Sequence, residues 1–186
     1  SSVIAEGEVD HLTAQRRVET SEDQYLDIIT AKTAALFAAA CRIAAVVAER
    51  DEAAEQALDA YGRNLGVAFQ LVDDAIDYAS DAATMGKGVG DDFRDGKLTL
   101  PVILAHARGS DDDRAFWREA MSGRRAADED LTHAIRLLRS SGALDDTIER
   151  ARHYGQGAID ALGIFPAGRA KAALVEAVEF AIARAY

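Results

Sequence analysis

The stretch from residue 21 to residue 49 contains neither glycine nor proline, and no other feature of the sequence constrains the fold as strongly. Within this stretch, apolar residues recur at the spacing of one helix face. Alanine, which loses no side-chain entropy in a helix, accounts for 39 of the 186 residues. A sheet protein would need many β-branched residues and regular turn signals, and both are sparse here. The sequence therefore predicts an all-α fold.

Helix-capping residues predict where the helices begin. Ser21 and Gln24 form a capping box, so the first helix is expected to run from residue 21 to about residue 49. Asp51 is expected to cap a second helix over residues 52–78. After a loop over 80–96, shorter helices are predicted over residues 101–107, 110–117, 129–139, 144–162 and 167–185.

Two glycines, Gly62 and Gly66, lie one helical turn apart in the second predicted helix. Each weakens a helix by up to about 1 kcal/mol relative to alanine. A helix keeps such residues where another backbone comes close. The pair therefore predicts a tight contact with a neighbouring helix inside a large bundle.

Charge and cysteine content limit the partners and the compartment. The formal net charge is −11, which argues against nucleic acid as a partner because phosphate binding needs a basic surface. Cys41 is the single cysteine, so no internal disulfide is expected, as is typical of a reducing compartment. The apolar run 34–41 is too short to span a bilayer and is followed by Arg42. We expect a soluble, cytoplasmic protein with no transmembrane segment.

The segment 70–77 near the end of the second helix carries the strongest chemical signal. Asp73 and Asp77 lie one turn apart on the same face, and Gln70 lies one turn earlier. Like charges at this spacing destabilise a helix, so a compensating cation is expected beside them and Asp74. Carboxylate oxygens suit Mg²⁺, which also takes phosphate oxygens as ligands. The alternative interpretation is a solvated acidic face.

The loop after this helix is rich in glycine and contains Lys87, Asp91 and Lys97. Glycine allows backbone N–H groups to approach a ligand, and the two lysines would act as point charges for phosphate. An ordinary connection between helices is the alternative. The position directly after the aspartates favours a diphosphate site.

A third element is the pair Lys32 and Thr33 in the alanine-rich first helix. Lys32 is followed by an uncharged run, so the charge is isolated on this part of the helix. Taken alone, the pair favours a lysine whose ammonium group reaches the solvent.

Together, the three elements resemble those of the trans-isoprenyl diphosphate synthases, the polyprenyl synthetase family. The second aspartate-rich motif of that family, Gln-x-x-Asp-Asp-x-x-Asp, matches residues 70–77 position by position. Its Lys-Thr pair matches residues 32–33, and its loop Gly-Lys…Gly-x-Asp…Gly-Lys matches Lys87, Asp91 and Lys97. The resemblance extends from residue 5 to about residue 108 and is similar in character to the bacterial enzymes that make octaprenyl or decaprenyl chains.

The resemblance implies an isoprenoid-synthase-type helical bundle of which residues 1–186 are the C-terminal half. The family's first aspartate-rich motif and the arginine pair after it are absent from this sequence. The chain also opens at Ser1 without an initiator methionine. We therefore expect the N-terminal half of a single polyprenyl synthase domain to be missing from this chain.

The function implied by the resemblance is prenyl transfer. A Mg²⁺-dependent ionisation of an allylic diphosphate would be followed by attack of isopentenyl diphosphate, giving a long-chain polyprenyl diphosphate. A homodimer is implied, and the lipid product would bring the enzyme to a membrane surface. The implied Mg²⁺ ligands are Asp73 and Asp77, with Asp74 either ligating or supporting them and Asp91 acting as an outer ligand through water.

The remaining residue roles also come from the resemblance. Lys32, Lys87 and Lys97 would hold the allylic diphosphate during catalysis. Gln70 and Thr33 would line the region where the carbocation forms, because their oxygens can stabilise positive charge.

Three other interpretations stay open. A class I terpene cyclase shares the bundle and the ionisation chemistry, although its second metal motif usually contains asparagine and serine. A non-catalytic helical partner subunit would be expected to lose residues such as Asp73 and Lys97, which are intact. An acidic helical scaffold would bind no diphosphate at all. The acidic run 111–113, which follows Ser110, is interpreted as the solvated first turn of a helix.

Overall fold

The computed structural model of the chain describes residues 18–79 and 89–185, and within these ranges it contains helices and no strand. In chain order the helical elements are α1 (Glu22–Ile29), a π-helical turn (Thr30–Ala34), α2 (Ala35–Val47), α3 (Glu52–Ala79), α4 (Asp91–Arg94), α5 (Leu100–Arg108), α6 (Asp111–Met121), α7 (Asp128–Ser140), α8 (Ala143–Ala161), a 3₁₀ turn (Leu162–Ile164) and α9 (Arg169–Ala183). The all-α class predicted from the sequence is confirmed.

The first long helix begins at the predicted capping box. Ser21 Oγ accepts a hydrogen bond from the N–H of Gln24 at 3.2 Å, and the Ser21 N–H donates to Gln24 Oε1 at 3.0 Å. The helix differs from the prediction in its middle, where Thr30–Ala34 form a π-helical turn between α1 and α2. Such turns widen the helix locally and often occur at functional sites. Lys32 and Thr33 both lie in this turn.

Helix α3 packs against α2 and α8 along much of its length. A Cβ atom added to Gly62 would overlap the carbonyl group of Phe37, and one added to Gly66 would lie 2.7 Å from the Cα of Ala34. The predicted close approach at these two glycines is therefore confirmed. A larger residue at either position would push α3 away from the first helix.

Apolar side chains form two buried clusters that hold α3 in place. The larger cluster joins α3 to α1 and to α4 through α8, with Trp117 and Leu100 fully buried. The smaller cluster joins α3 to α8 and α9 through Tyr61, Ala158 and Val178. Full burial of a large apolar side chain contributes about 1.5–3 kcal/mol. The position of α3, and with it the aspartate motif, is thus fixed from several sides.

Most predicted boundaries agree with the structure to within a few residues, and the main differences lie in α6 and in the loop. Helix α6 continues to Met121 instead of ending at residue 117. The loop predicted over 80–96 contains the short helix α4, which follows Gly90. Gly90 has a φ of 78°, in the left-handed region that favours glycine. Residues 80–88 lie outside the described residues.

The outer face of α2 is apolar and open to solvent. Its large exposed side chains, each at least half exposed, are Leu36, Ile43, Val46 and Val47. Counted from α1 through the π turn, the helix Glu22–Val47 is long and apolar enough to cross a membrane by length and composition alone. However, Tyr25 and Ile29 at its start are buried in the core of the bundle. One such helix is weak evidence for a membrane span.

Candidate active site

A cavity of about 180 Å³ is bounded by α1, the π turn, α3 and the segment that leads into α5. It brings together predicted site residues from all three motifs, namely Lys32, Thr33, Gln70, Asp73, Asp74 and Lys97. The other residues that line it are Tyr25, Ile29, Asp92, Leu98 and Thr99. The Lys-Thr pair of the first helix therefore meets the aspartate motif and the loop at one place in the fold.

Four side chains form a continuous series of hydrogen bonds along the wall of this cavity. Tyr25 Oη donates to Asp74 Oδ2, and Gln70 Nε2 donates to Asp74 Oδ1 at 3.0 Å. Thr33 Oγ1 donates to Gln70 Oε1 at 3.1 Å. The amide of Gln70 therefore has its NH₂ group towards Asp74 and its oxygen towards Thr33. The series links the first helix to α3 at two points.

Asp74 is enclosed by the protein. The residue is 1 % exposed, and both of its carboxylate oxygens accept hydrogen bonds from neighbouring side chains. Burial raises the pKa of Asp74 to about 7, while the hydrogen bonds from Tyr25 and Gln70 act in the opposite direction. Both oxygens of the Asp74 carboxylate are therefore engaged by donors from the protein.

Asp73 lies on the open side of α3. Its side chain is 44 % exposed, and its Oδ1 lies 3.7 Å from Nη2 of Arg184. The guanidinium of Arg184 also lies 4.9 Å from the centre of the Phe69 ring. Arg184 follows directly after α9, near the end of the chain, and sequence reasoning missed it because no local pattern connects it to the motif. The fold places this cation beside the first aspartate.

Asp77 lies in the last turn of α3 and holds the loop that follows. Its Oδ2 accepts a hydrogen bond from the N–H of Asp92 at 3.1 Å, and its backbone carbonyl accepts one from the N–H of Gly90 at 2.8 Å. Burial and the nearby carboxylate of Asp92 raise the pKa of Asp77 to about 6. The end of a helix carries partial negative charge, so a carboxylate there needs a cation from elsewhere.

Lys97 reaches the cavity from the loop. Its Nζ lies 2.9 Å from Oδ1 of Asp92 and 3.2 Å from Oδ2 of Asp95. The hydrogen bond to Asp92 raises the pKa of Lys97, so the ammonium group stays charged. Lys97 is therefore a positive charge fixed at the cavity wall by two carboxylates.

The structure places Asp92, and not Asp91, at the cavity. Asp91 was predicted as an outer metal ligand, but its side chain is 53 % exposed and its Oδ1 lies 3.7 Å from Nη1 of Arg94. The pattern Gly-x-Asp, counted from Gly90, reaches Asp92, so the sequence contained this signal. Lys87 lies outside the described residues.

The arrangement of donors decides what kind of metal site fits here. Among residues 18–79 and 89–185, no group of three acidic, histidine or cysteine side chains converges to hold a metal ion by itself. Asp73 and Asp77 supply two carboxylates one turn apart near the negative end of α3. Mg²⁺ commonly uses one or two protein carboxylates and takes its other ligands from water and substrate phosphate. The donors therefore fit Mg²⁺ bound together with a phosphate ligand.

The structure is thus a helical bundle in which lysines and aspartates line one cavity. The polyprenyl synthetase family model matches residues 1–138, a range that includes the π turn, the aspartate motif and Lys97. The chain belongs to the polyprenyl synthetase family.

Individual relatives agree with this family. The chain is 41 % identical over 188 residues to the octaprenyl diphosphate synthase of Haemophilus influenzae, covering 100 % of this chain and 56 % of the relative. It is 40 % identical over 181 residues to the all-trans-nonaprenyl-diphosphate synthase (geranyl-diphosphate specific) of Rhodobacter capsulatus, covering 97 % of this chain and 55 % of the relative. The crystal structure of the Caulobacter crescentus polyprenyl synthase complexed with calcium and isoprenyl diphosphate matches with a TM-score of 0.93 at 47 % identity, over 100 % of this chain and 56 % of that chain. The chain thus spans little more than half the length of these relatives.

Proposed function

We propose that this chain supplies the diphosphate-ionising side of a trans-polyprenyl diphosphate synthase. In this reaction diphosphate leaves an allylic substrate, and the double bond of isopentenyl diphosphate attacks the resulting carbocation. Loss of a proton then gives an allylic diphosphate that is one isoprene unit longer. The observation that carries the proposal is that Lys32, Asp73 and Lys97 line the same cavity. A long-chain product is supported by the octaprenyl and nonaprenyl synthases among the relatives.

The chemical demand is to stabilise the negative charge that builds up on the departing diphosphate. Lys32 and Lys97 line the cavity, and fixed positive groups lower the energy of such a transition state. We assign the diphosphate to these two lysines, together with Lys87. Mg²⁺ held by Asp73 and Asp77 would act there as a Lewis acid towards the phosphate oxygens. A calcium complex of the Caulobacter crescentus relative supports a divalent cation.

Gln70 and Thr33 are assigned to the carbocation. The hydroxyl of Thr33 donates a hydrogen bond to Gln70 Oε1, so the lone pairs of the Thr33 oxygen remain available. Gln70 Oε1 keeps a second lone pair. Both residues line the cavity beside the lysines. Partial negative charge at this position would stabilise an allylic cation as the diphosphate departs.

We also propose that residues 1–186 belong to the C-terminal part of one polyprenyl synthase domain and that the protein is a cytoplasmic homodimer. The exposed apolar face of α2, with Ile43 at 62 % and Val47 at 79 % exposure, supports association with a further protein surface. The lipid product would bring the enzyme to the membrane surface. Light scattering on the purified protein gives its oligomeric state.

The direct test incubates the intact protein with radiolabelled isopentenyl diphosphate and an allylic diphosphate. We expect incorporation into long-chain products that stops on addition of EDTA and returns with excess Mg²⁺. Binding of the allylic diphosphate without transfer would indicate a non-catalytic partner subunit, and a cyclic hydrocarbon product would indicate a terpene cyclase. A protein that binds neither diphosphate would contradict the proposal.

A further inference from the structure

The structure assigns a positioning role to Tyr25. Tyr25 acts through Asp74 to fix the orientation of the Gln70 amide, and this orientation sets the partial charge that faces the carbocation. This inference rests on the proposed function. Tyr25 lies 49 positions before Asp74 in the sequence, and its hydroxyl donates to the Asp74 carboxylate inside the bundle.

The first helix and α3 are joined by hydrogen bonds at two points, Tyr25 to Asp74 and Thr33 to Gln70. Tyr25 in α1 and Thr33 in the π turn belong to the first helix, while Gln70 and Asp74 lie one turn apart on α3. Tyr25 bonds to Asp74, Asp74 to Gln70, and Gln70 to Thr33. Each side chain in the middle of the series has its orientation set from both sides.

Tyr25 determines how the Asp74 carboxylate is turned. Tyr25 is 4 % exposed and Asp74 is 1 % exposed, so water does not readily replace the tyrosine hydroxyl. With Oδ2 held by Tyr25, the other oxygen of Asp74 is directed at Nε2 of Gln70, 3.0 Å away. Without the hydroxyl, the plane of the carboxylate is no longer fixed from this side.

The orientation of Gln70 decides the sign of the charge that its amide presents. In the observed orientation the NH₂ group faces Asp74 and the oxygen faces Thr33. If the Asp74 carboxylate turns away, the acceptor that holds the NH₂ group on this side is lost. The amide can then flip, and its NH₂ group, with its partial positive charge, would lie on the Thr33 side. A positive dipole raises the energy of a carbocation formed there, whereas the oxygen lowers it. Tyr25 thus affects the chemical step through Asp74 and Gln70.

The first test compares Tyr25→Phe with Tyr61→Phe in the intact protein. Both substitutions remove one buried hydroxyl, and the Tyr61 hydroxyl donates to the carbonyl oxygen of Leu174 at 2.9 Å, outside the cavity. We expect kcat of Tyr25→Phe to fall by about ten- to a hundredfold, because small losses of alignment have effects of this size. The KM for the allylic diphosphate should stay within about twofold, because uniform substrate binding is unchanged. Tyr61→Phe should keep the wild-type kcat.

A double-mutant cycle separates positioning from general damage. If Tyr25 acts through Gln70, the substitution Tyr25→Phe should cause no further loss of kcat in a Gln70→Ala background. Equal losses in the wild-type and Gln70→Ala backgrounds would overturn the proposal. So would equal kcat values for Tyr25→Phe and Tyr61→Phe.

An NMR measurement tests the same geometry without relying on activity. The side-chain amide signals of Gln70 are identified by their disappearance in Gln70→Ala. We expect Tyr25→Phe to shift these signals and Tyr61→Phe to leave them in place. Unshifted signals in Tyr25→Phe would overturn the inference in an active or an inactive protein. A wild-type protein that transfers no prenyl group would contradict the proposed function, and the NMR result alone would then decide the role of Tyr25.

Discussion

Two groups of three aspartates lie at opposite ends of their helices, and the fold surrounds them differently. Asp73, Asp74 and Asp77 lie towards the C-terminal end of α3, whereas residues 111–113 form the first turn of α6. Asp74 is 1 % exposed, while the side chain of Asp111 is 98 % exposed. The residue type is the same in both groups, so the difference comes from where each group lies.

In the acidic first turn of α6, hydrogen bonds are made to the cap residue of the same helix. Ser110 Oγ accepts from the N–H of Asp113 at 3.2 Å, and the Ser110 N–H donates to Asp113 Oδ2 at 2.9 Å. These bonds with Ser110 lower the pKa of Asp113. Negative charge is also favourable at the positive end of a helix. The prediction that this run is an ordinary first turn of a helix is confirmed.

The group on α3 depends on partners from other elements. Asp74 uses Tyr25, Asp77 uses the N–H of Asp92, and Asp73 lies beside Arg184. Because the helix end is itself negative, these carboxylates draw on partners outside α3 in addition to Gln70, which lies on α3. The two acidic groups thus differ in whether their helix end favours or disfavours negative charge.

The largest contrast between the two groups is expected in catalysis. Asp73→Ala should lower turnover by several orders of magnitude, because a carboxylate assigned to Mg²⁺ and the leaving diphosphate is removed. Helicity, measured by circular dichroism, should be unchanged. Asp112→Ala, in the first turn of α6, should retain wild-type turnover in the same assay. A near-normal rate for Asp73→Ala would contradict the assignment of Asp73.

A contrast in stability should follow from burial. Asp74→Ala leaves the Tyr25 hydroxyl and the Gln70 amide buried without their acceptor, and an unsatisfied buried group costs about 1–3 kcal/mol. The free energy of unfolding should fall by at least this amount in urea titrations. Asp112→Ala should change it by no more than about 0.5 kcal/mol. Equal stability of the two variants would show that the enclosure of Asp74 has no energetic importance.

The two groups should also respond to pH with opposite sign. Asp77 has a pKa of about 6, raised by burial above the ordinary value of 3.8, so the folded state keeps a proton that the unfolded state releases. Its contribution to the free energy of unfolding is therefore full below about pH 4 and is lost as the pH rises to about 6. Asp113, with its lowered pKa, contributes stability above about pH 4 that is lost as the pH falls through its folded pKa.

Isosteric variants measure this sign difference in metal-free buffer. Relative to wild type, Asp77→Asn should remove a decrease in stability between about pH 4 and about pH 6. Asp113→Asn should differ in its pH dependence only below about pH 4. Parallel curves for Asp77→Asn and wild type across the higher range would contradict the expected role of burial at Asp77.

The smallest effect is expected at the helix cap. Ser110→Ala removes the acceptor for the N–H of Asp113, and loss of such a cap costs about 1 kcal/mol. The pKa of Asp113, followed by NMR, should rise towards its ordinary value because Ser110 is the main cause of its shift. Turnover should not change. A fall in turnover would show that α6 is coupled to the cavity.

Local pattern predicted the helices well, but it did not predict the interruption in the first one. The capping box at Ser21 and the close approach at Gly62 and Gly66 could be read from residue type and spacing. The π turn could not, because its sequence is alanine-rich and compatible with an ordinary α-helix. In the folded chain this turn carries Thr33, which bonds to Gln70 on α3.

Part of the site could be predicted because it depends on helical periodicity, which puts Asp73 and Asp77 on one face of α3 whatever surrounds them. The matching of motifs to a family also selected Lys32 and Lys97, which lie together at the cavity. The same matching chose Asp91, whereas the fold brings Asp92 to the cavity wall. The pattern Gly-x-Asp counted from Gly90 itself reaches Asp92, so this residue could have been predicted from the sequence.

The sequence by itself determined the helices, their glycine contact and the face of α3 that carries the carboxylates, because these follow from interactions between residues close together in the chain. The tertiary structure decided which aspartate is enclosed and which distant side chains complete the cavity. Tyr25 and Arg184 approach the motif from opposite ends of the described chain. Contacts of this kind depend on how the helices pack against one another, and no local spacing of residues encodes them.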